Sequence, residues 1–271
     1  TGYMPDIERI AKLAHKYGAK ILVDAAQLLA HKKIDVKTDN DPAHIDFLAG
    51  AGHKAYAPFG SAFLYAPEDL LNEAPPYIPG GGTVVFVTDD DAYYSKSPDR
   101  HQGGTPNIPG AIAFSAALKF LQSVGMDNIR EHERQLTEYA LSEMTHIDGI
   151  HVLGNPDPSQ RLGVVSFIVD GLPHDKVSAI LNSEAAIATR NGCFCAHPYI
   201  ARLMGVDSDE LVARIRTGEA IEPPGAVRAT FGIYNTEDEV AELIRMVKVI
   251  RDRSWIGDYE TNFVPYTISM A

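Results

Sequence analysis

The sequence predicts an α/β chain, a mainly parallel sheet with covering helices, followed by a small α+β domain. Three observations predict it. A helical pattern over Pro5–Tyr17 leads into two short apolar runs, Ala19–Val23 and Ile45–Leu48. Runs of that length, broken by small and polar residues, read as buried strands, and helix alternating with buried strand is the pattern of a parallel sheet. Beyond residue 125, short strands and helices alternate more densely, the texture of a smaller α+β unit. The expected divisions are therefore 1–125, 126–253 and a tail at 254–271.

In the first helical pattern Ile7, Ile10, Ala11, Leu13 and Ala14 recur at helical spacing, and Gly18 is a good stop. The first apolar run ends in Asp24-Ala25-Ala26-Gln27. The second breaks into small residues, Ala49 to Gly52, and delivers His53 and Lys54 into a loop before a further apolar run, Ser61–Tyr65. Gly80-Gly81-Gly82 and the polar stretch Thr88–His101 read as a long loop region, and loops of that length are commonly functional. Ala111–Val124 and Asn128–Met144 carry helical patterns. Then come expected strands at His151–Leu153, Val164–Val169, Ala186–Thr189 and Val227–Tyr234, with helices at Lys176–Leu181, Pro198–Met204 and Glu210–Ile215. Thr236-Glu237-Asp238-Glu239 is a capping-box start for a helix over Val240–Ile250.

Composition narrows the function classes. The 271 residues carry a formal net charge of −12, which argues against nucleic acid or an anionic membrane surface as the main partner. No apolar run approaches the length of a membrane span. The two cysteines, Cys193 and Cys195, are too close in sequence for a long-range disulfide, so a reducing cytoplasm is the expected setting. The first residues lack the basic and apolar segments of a signal peptide. The abrupt start leads us to expect the later part of a longer protein.

Strand ends are where α/β enzymes place their chemistry. Asp24 and Lys54 both occupy such positions. A poorly solvated carboxylate needs a partner; Asp24 reads either as a turn or capping residue or as the partner of a protonated ring nitrogen. Lys54, among small residues after an apolar strand, reads as a solvated loop lysine or as an imine-forming lysine favoured by low solvation. Gln27 follows within one turn of Asp24. Gly103-Gly104-Thr105-Pro106-Asn107 offers N–H groups and a hydroxyl ahead of a helix, suited to a phosphate or to a plain turn. In Arg190-Asn191-Gly192-Cys193-Phe194-Cys195-Ala196-His197, two cysteines and a histidine are too few for a structural zinc site with no second cluster, and no metal is expected. The thiols read as buried and structural, or as a thiolate beside Arg190 and His197. Arg190 and Arg228 together could clamp a carboxylate, although each alone is more often a surface ion-pair residue.

With those stretches in view, the chain resembles the class V aminotransferase family of fold-type I pyridoxal-phosphate enzymes, and within it the cysteine desulfurase and selenocysteine lyase branch. The matching pieces are L-V-D-A-A-Q (22–27), G-H-K (52–54), G-G-T-P-N (103–107), R-N-G-C-F-C (190–195) and V-R-A-T-F-G-I-Y-N-T (227–236). They occur in the family's order, and the similarity runs to about Val249.

The resemblance implies a pyridoxal 5'-phosphate large domain lacking its N-terminal part, then a small C-terminal domain. It implies Lys54 as the cofactor-bearing lysine, Asp24 at the pyridine nitrogen, Gln27 at the ring hydroxyl and His53 at the phosphate. Thr105 would reach the cofactor phosphate of the other subunit in a homodimer. Arg228, assisted by Arg190, would bind the carboxylate of a small amino-acid substrate, and Cys195 would carry a persulfide destined for a sulfur-acceptor protein. Ala51 stands where desulfurases usually carry a phosphate-binding serine, and the segment from Ala196 to Ala226 is longer than usual. The implied reaction is sulfur removal from cysteine with release of alanine. The competing readings are another class V reaction with both cysteines idle, and a fragment or relative that is not an enzyme.

Overall fold

The computed structural model describes residues 1–219 and 223–259. They form two compact units, Pro5–Ile129 and a second made of Thr1–Met4 with the chain from Arg130 onward. The part of the expected tail from residue 260 lies outside the described residues.

The first unit begins with α1 (Ile7–Lys16), where Asp6 caps the helix by accepting from the Arg9 amide at 3.0 Å. Gly18, at φ +70°, ends it in the left-handed region that glycine adopts without penalty. Strand β1 (Leu22–Asp24) pairs in parallel with β2 (Phe47–Ala51), in the register Leu22–Phe47, Val23–Leu48, Asp24–Ala49. Strand β3 (Ala62–Tyr65) then pairs antiparallel with β2, giving a sheet in the order β1-β2-β3. This sheet thus holds one parallel and one antiparallel pairing. Its small core of Ala25, Ile45 and Leu48 is packed by Ile7, Val23, Leu28, Ile34, Val36 and Phe63.

A short helix α2 (Glu68–Glu73) follows. The stretch expected as a continuous loop instead contains a hairpin, β4 (Val84–Val87) paired with β5 (Ala92–Tyr94). Thr88 closes the turn: its amide donates to Asp91 O at 2.8 Å, and its hydroxyl accepts from the Asp91 amide at 2.8 Å. Helix α3 (Ile108–Val124) is capped by Asn107 and stopped by Gly125 at φ +92°. Helix α4 (Met126–Met144) follows, and the boundary between the units falls within it. No single helix among the described residues is long and apolar enough to cross a membrane.

The second unit is a four-stranded sheet of β6 (Ile150–Val152), β7 (Val164–Val169), β8 (Arg190–Gly192) and β9 (Ala226–Thr230) in the order β6-β7-β9-β8, every pairing antiparallel. Alternation along the strands sorts its faces. Val165, Phe167 and Val169 of β7, with Val227 and Ala229 of β9, meet α4, α5 (His174–Ala185) and α8 (Glu237–Arg251) in the main core. The opposite face carries Ile168 and Ala226, which pack with Leu153, Cys193 and Ile200 of α6 (His197–Leu203). Helix α7 (Ser208–Arg216) follows. Tyr3 bridges to Arg161, and the Leu162 amide donates to Gly2 O at 2.8 Å, which attaches Thr1–Met4 to this unit.

Two expected strands are corrected. Ala186 is not in a strand: it caps α5 in the left-handed conformation at φ +53°, and its amide donates to Asn182 O at 3.0 Å. The strand starts only at Arg190. The expected strand Val227–Tyr234 is β9 and ends at Thr230. The capping box at Thr236 is present, with the Glu239 amide donating to the threonine and the Glu239 carboxylate accepting from the Thr236 amide at 2.9 Å.

Candidate active site

In the first unit, Asp24 ends β1, and Lys54 follows the end of the adjacent parallel strand β2 by three residues. Neighbouring strands lie about 4.8 Å apart, so the two chain ends emerge side by side at one edge of the sheet. The Asp24 carboxylate accepts from the Ala26 amide at 2.9 Å. That local turn steers the chain into Gln27, which is half-buried, and the 3-10 turn Leu28–Ala30.

Lys54 ends a 3-10 turn, Gly52–Lys54, after which the Ala55 and Ala57 amides donate back to Gly52 O at 2.8 and 2.9 Å. Only glycine fits at position 52: a Cβ there would lie 3.0 Å from Ser61 O, and the Gly52 amide donates to that same oxygen at 2.8 Å. The expectation that Asp24 and Lys54 are poorly solvated is corrected. Both are exposed, as is His53. Asp24 ends the edge strand β1, and His53 and Lys54 lie on a short 3-10 turn beyond β2.

The loop after Lys54 holds two non-glycine residues in the left-handed region, Tyr56 at φ +63° and Phe59 at φ +70°. Such residues cost about 1–3 kcal/mol each and persist only where neighbours hold them. Asn107 holds Phe59. Its Nδ2 donates to Phe59 O at 2.6 Å, while its Oδ1 accepts from the Gly110 amide at 3.0 Å to cap α3. One side chain therefore ties the Gly103–Asn107 motif to the Lys54 loop. Sequence reasoning quoted Asn107 but missed this role; an asparagine before Ile108-Pro109 at a helix start was the available signal. The Gly104 amide donates to Gly81 O at 2.8 Å, joining the two glycine stretches, and Thr105 is exposed.

In the second unit, Arg190 of β8 lies directly opposite Arg228 of β9. Like charges facing across a strand pair are destabilising unless an anion answers them. Arg228 is half-buried, its Nε has no partner, and its guanidinium sits 5.1 Å from the Phe194 ring centroid. Burial pushes the Arg228 pKa down, and Arg190 pushes it the same way, whereas negative charge on the Cys195 sulfur opposes them.

Phe194 and Cys195 are consecutive left-handed residues, at φ +54° and +62°. The turn is closed by the Ala196 amide donating to Cys193 O at 2.8 Å. It separates the two thiols. Cys193 is buried, its thiol donates to Pro224 O at 2.6 Å, and burial pushes its pKa up. Cys195 is exposed. His197 is exposed at the first position of α6. The roles of Phe194 and Pro224 were not legible in the sequence, because each depends on the turn geometry.

The family model for aminotransferase class-V matches residues 1–243. A probable cysteine desulfurase of Halobacterium salinarum is 36% identical over 250 residues, covering 92% of this chain and 54% of the relative. A cysteine desulfurase of Escherichia coli is 35% identical over 233 residues, covering 86% and 51%. Among solved structures, the apo cysteine desulfurase of Thermococcus onnurineus superposes with a TM-score of 0.78 at 31% identity, covering 93% of this chain and 57% of that one. A cysteine desulfurase of Escherichia coli gives 0.77 at 31% identity, covering 94% and 56%. The chain spans about half the length of these relatives.

Proposed function

Since the chain belongs to the class V aminotransferase family, we propose that it forms part of a pyridoxal-phosphate enzyme whose reaction is the removal of sulfur from cysteine. The residues of the first unit fit the cofactor. An exposed amine and an exposed carboxylate follow from neighbouring parallel strand ends, the donor set that an aldehyde cofactor with a protonated ring nitrogen requires. Bound there, pyridoxal phosphate supplies an electron sink for charge developing at the substrate Cα.

Lys54 would hold the cofactor covalently, and its amine would take the proton from the substrate Cα. Asp24 would accept a hydrogen bond from the protonated ring nitrogen and keep it protonated. Gln27 serves the ring hydroxyl, and His53 contacts the phosphate without the help of a serine at position 51. In the second unit Arg228, with its unpartnered Nε, and Arg190 bind the substrate carboxylate. The Cys195 thiolate attacks the substrate sulfur: the S–S bond forms, the substrate C–S bond breaks, and the carbon left behind takes a proton to become alanine. No external oxidant is needed, since the sulfur leaves on Cys195 as a persulfide.

The observation that carries this reading is the split between the thiols. Cys195 is exposed beside a pair of arginines that face each other, and Cys193 is sealed on Pro224 O. It favours desulfuration over a class V reaction with idle cysteines. We further assign a cytoplasmic homodimer that passes sulfur to an acceptor protein, Thr105 serving the partner's cofactor. The exposed apolar hairpin residues Val85, Phe86, Val87 and Tyr93 support the dimer.

The test adds pyridoxal phosphate and cysteine and follows visible absorbance and alanine release. Lys54→Ala should abolish both signals. Cys195→Ala should keep the absorbance and lose alanine release. Alanine release unchanged in Cys195→Ala sinks the desulfurase reading, and absorbance unchanged in Lys54→Ala sinks the cofactor assignment.

A further inference from the structure

The buried carboxylate of Asp46 lies in the first unit, just before β2. Two histidines converge on it. His15 Nε2 is 2.9 Å from Oδ2, and His44 Nε2 is 3.3 Å from Oδ1. The rings are stacked, with centroids 4.0 Å apart and planes inclined by 15°. The other nitrogen of each ring meets a main-chain carbonyl: His15 Nδ1 lies 2.8 Å from Pro42 O and His44 Nδ1 2.7 Å from Asp41 O.

A carbonyl oxygen only accepts, so both rings carry hydrogen at Nδ1. A neutral ring then presents a lone pair at Nε2 to a carboxylate that itself offers only lone pairs. Positive charge has to sit between them. Two protons would place two stacked imidazolium rings beside the Lys20 ammonium, which is already 2.8 Å from Oδ1. A single divalent ion answers both nitrogens and the carboxylate from one centre. Histidines held by main-chain carbonyls at the far nitrogen are the usual arrangement around bound metal. One ligand atom from each of the three residues lies within 4.8 Å of the others, so modest side-chain shifts reach the separations of about 3.3 Å that zinc bonds of about 2.0–2.2 Å in a tetrahedron imply.

We propose that His15, His44 and Asp46 bind Zn²⁺, with water as the fourth ligand. The ion clamps the last turn of α1 to the entry of β2, the strand that leads to Lys54. Lys20 competes for the same carboxylate. Its side chain is largely exposed and also lies within Coulombic reach of Asp39 and Asp69, so it has other partners when it leaves Asp46. The Ile21 amide, 2.9 Å from Oδ2, keeps the carboxylate in place. Sequence reading weighed a metal only at the Cys193–His197 stretch and expected none; the ligands here are 29 and 2 residues apart and follow no familiar spacing.

The test is titration of the metal-free protein with Zn²⁺ against a chromophoric chelator, with Co²⁺ as a spectroscopic substitute. One equivalent should bind, with the intense visible bands of four-coordinate Co²⁺. His44→Ala and His15→Ala should each weaken binding at least about tenfold. Lys20→Ala should tighten it, which an adventitious surface histidine pair would not show. Circular dichroism checks that the variants fold. No stoichiometric binding by the unaltered protein overturns the proposal and leaves a proton-held charge cluster. Binding unchanged in both histidine variants, or lost in Lys20→Ala, also overturns it.

Discussion

Replacing Asn107 probes the link between the Gly103–Asn107 motif and the Lys54 loop. Asn107→Ala removes two interactions at once. The cap on the Gly110 amide is worth about 1 kcal/mol, and the bond to Phe59 O is worth about 1 kcal/mol. The combined loss is about 2 kcal/mol if the two bonds add. Asn107→Asp separates them, since aspartate still caps but has no donor for Phe59 O, so it should lose only about 1 kcal/mol. Without the tie, the left-handed Phe59 relaxes and the loop carrying Lys54 loses order. Cofactor affinity should then fall about fivefold, the equivalent of 1 kcal/mol, and by the same factor in both variants. Chemical denaturation reads the stability, and visible absorbance during pyridoxal-phosphate titration reads the affinity. If Asn107→Asp binds cofactor as the unaltered protein does while Asn107→Ala binds weakly, the cap alone matters and the reasoning about the tie is refuted.

Other expectations rest on the second unit. Iodoacetamide near neutral pH should label Cys195 and spare Cys193, whose labelling should appear only as pH rises or the protein unfolds; peptide mass mapping checks this, and equal labelling would contradict the burial argument. Arg228→Met should leave stability unchanged or slightly raised, because it removes a like-charge pair and an unpartnered buried donor. The same change should raise KM for cysteine about tenfold or more through the lost charged hydrogen bonds, and an unchanged KM would remove Arg228 from carboxylate binding.

Much of the fold was legible because the relevant signals are local. The run Val164–Val169 is a strand with the expected bounds, its alternate residues buried in the main core. The box at Thr236–Glu239 caps a helix as its spacing requires. The hairpin was not legible because Thr88–Asp91 reads as polar loop, yet its side chains close the turn between β4 and β5. Ala186–Ile187 looked like strand because it is apolar, but the helix before it needed a left-handed cap. For the site, strand-end position located Asp24 and Lys54 correctly in the fold. Their exposure depends on what covers the strand ends, which spacing does not encode. The two thiols look alike in sequence; consecutive left-handed residues at Phe194 and Cys195 turn one inward and the other outward.

The most direct test of the sulfur chemistry assigned to this chain is peptide mass mapping after incubation with pyridoxal phosphate and cysteine, without reductant. The predicted result is a gain of one sulfur atom confined to the peptide position of Cys195, absent when Lys54 is replaced by alanine. A persulfide on Cys193, or one on Cys195 that persists without Lys54, would contradict the account.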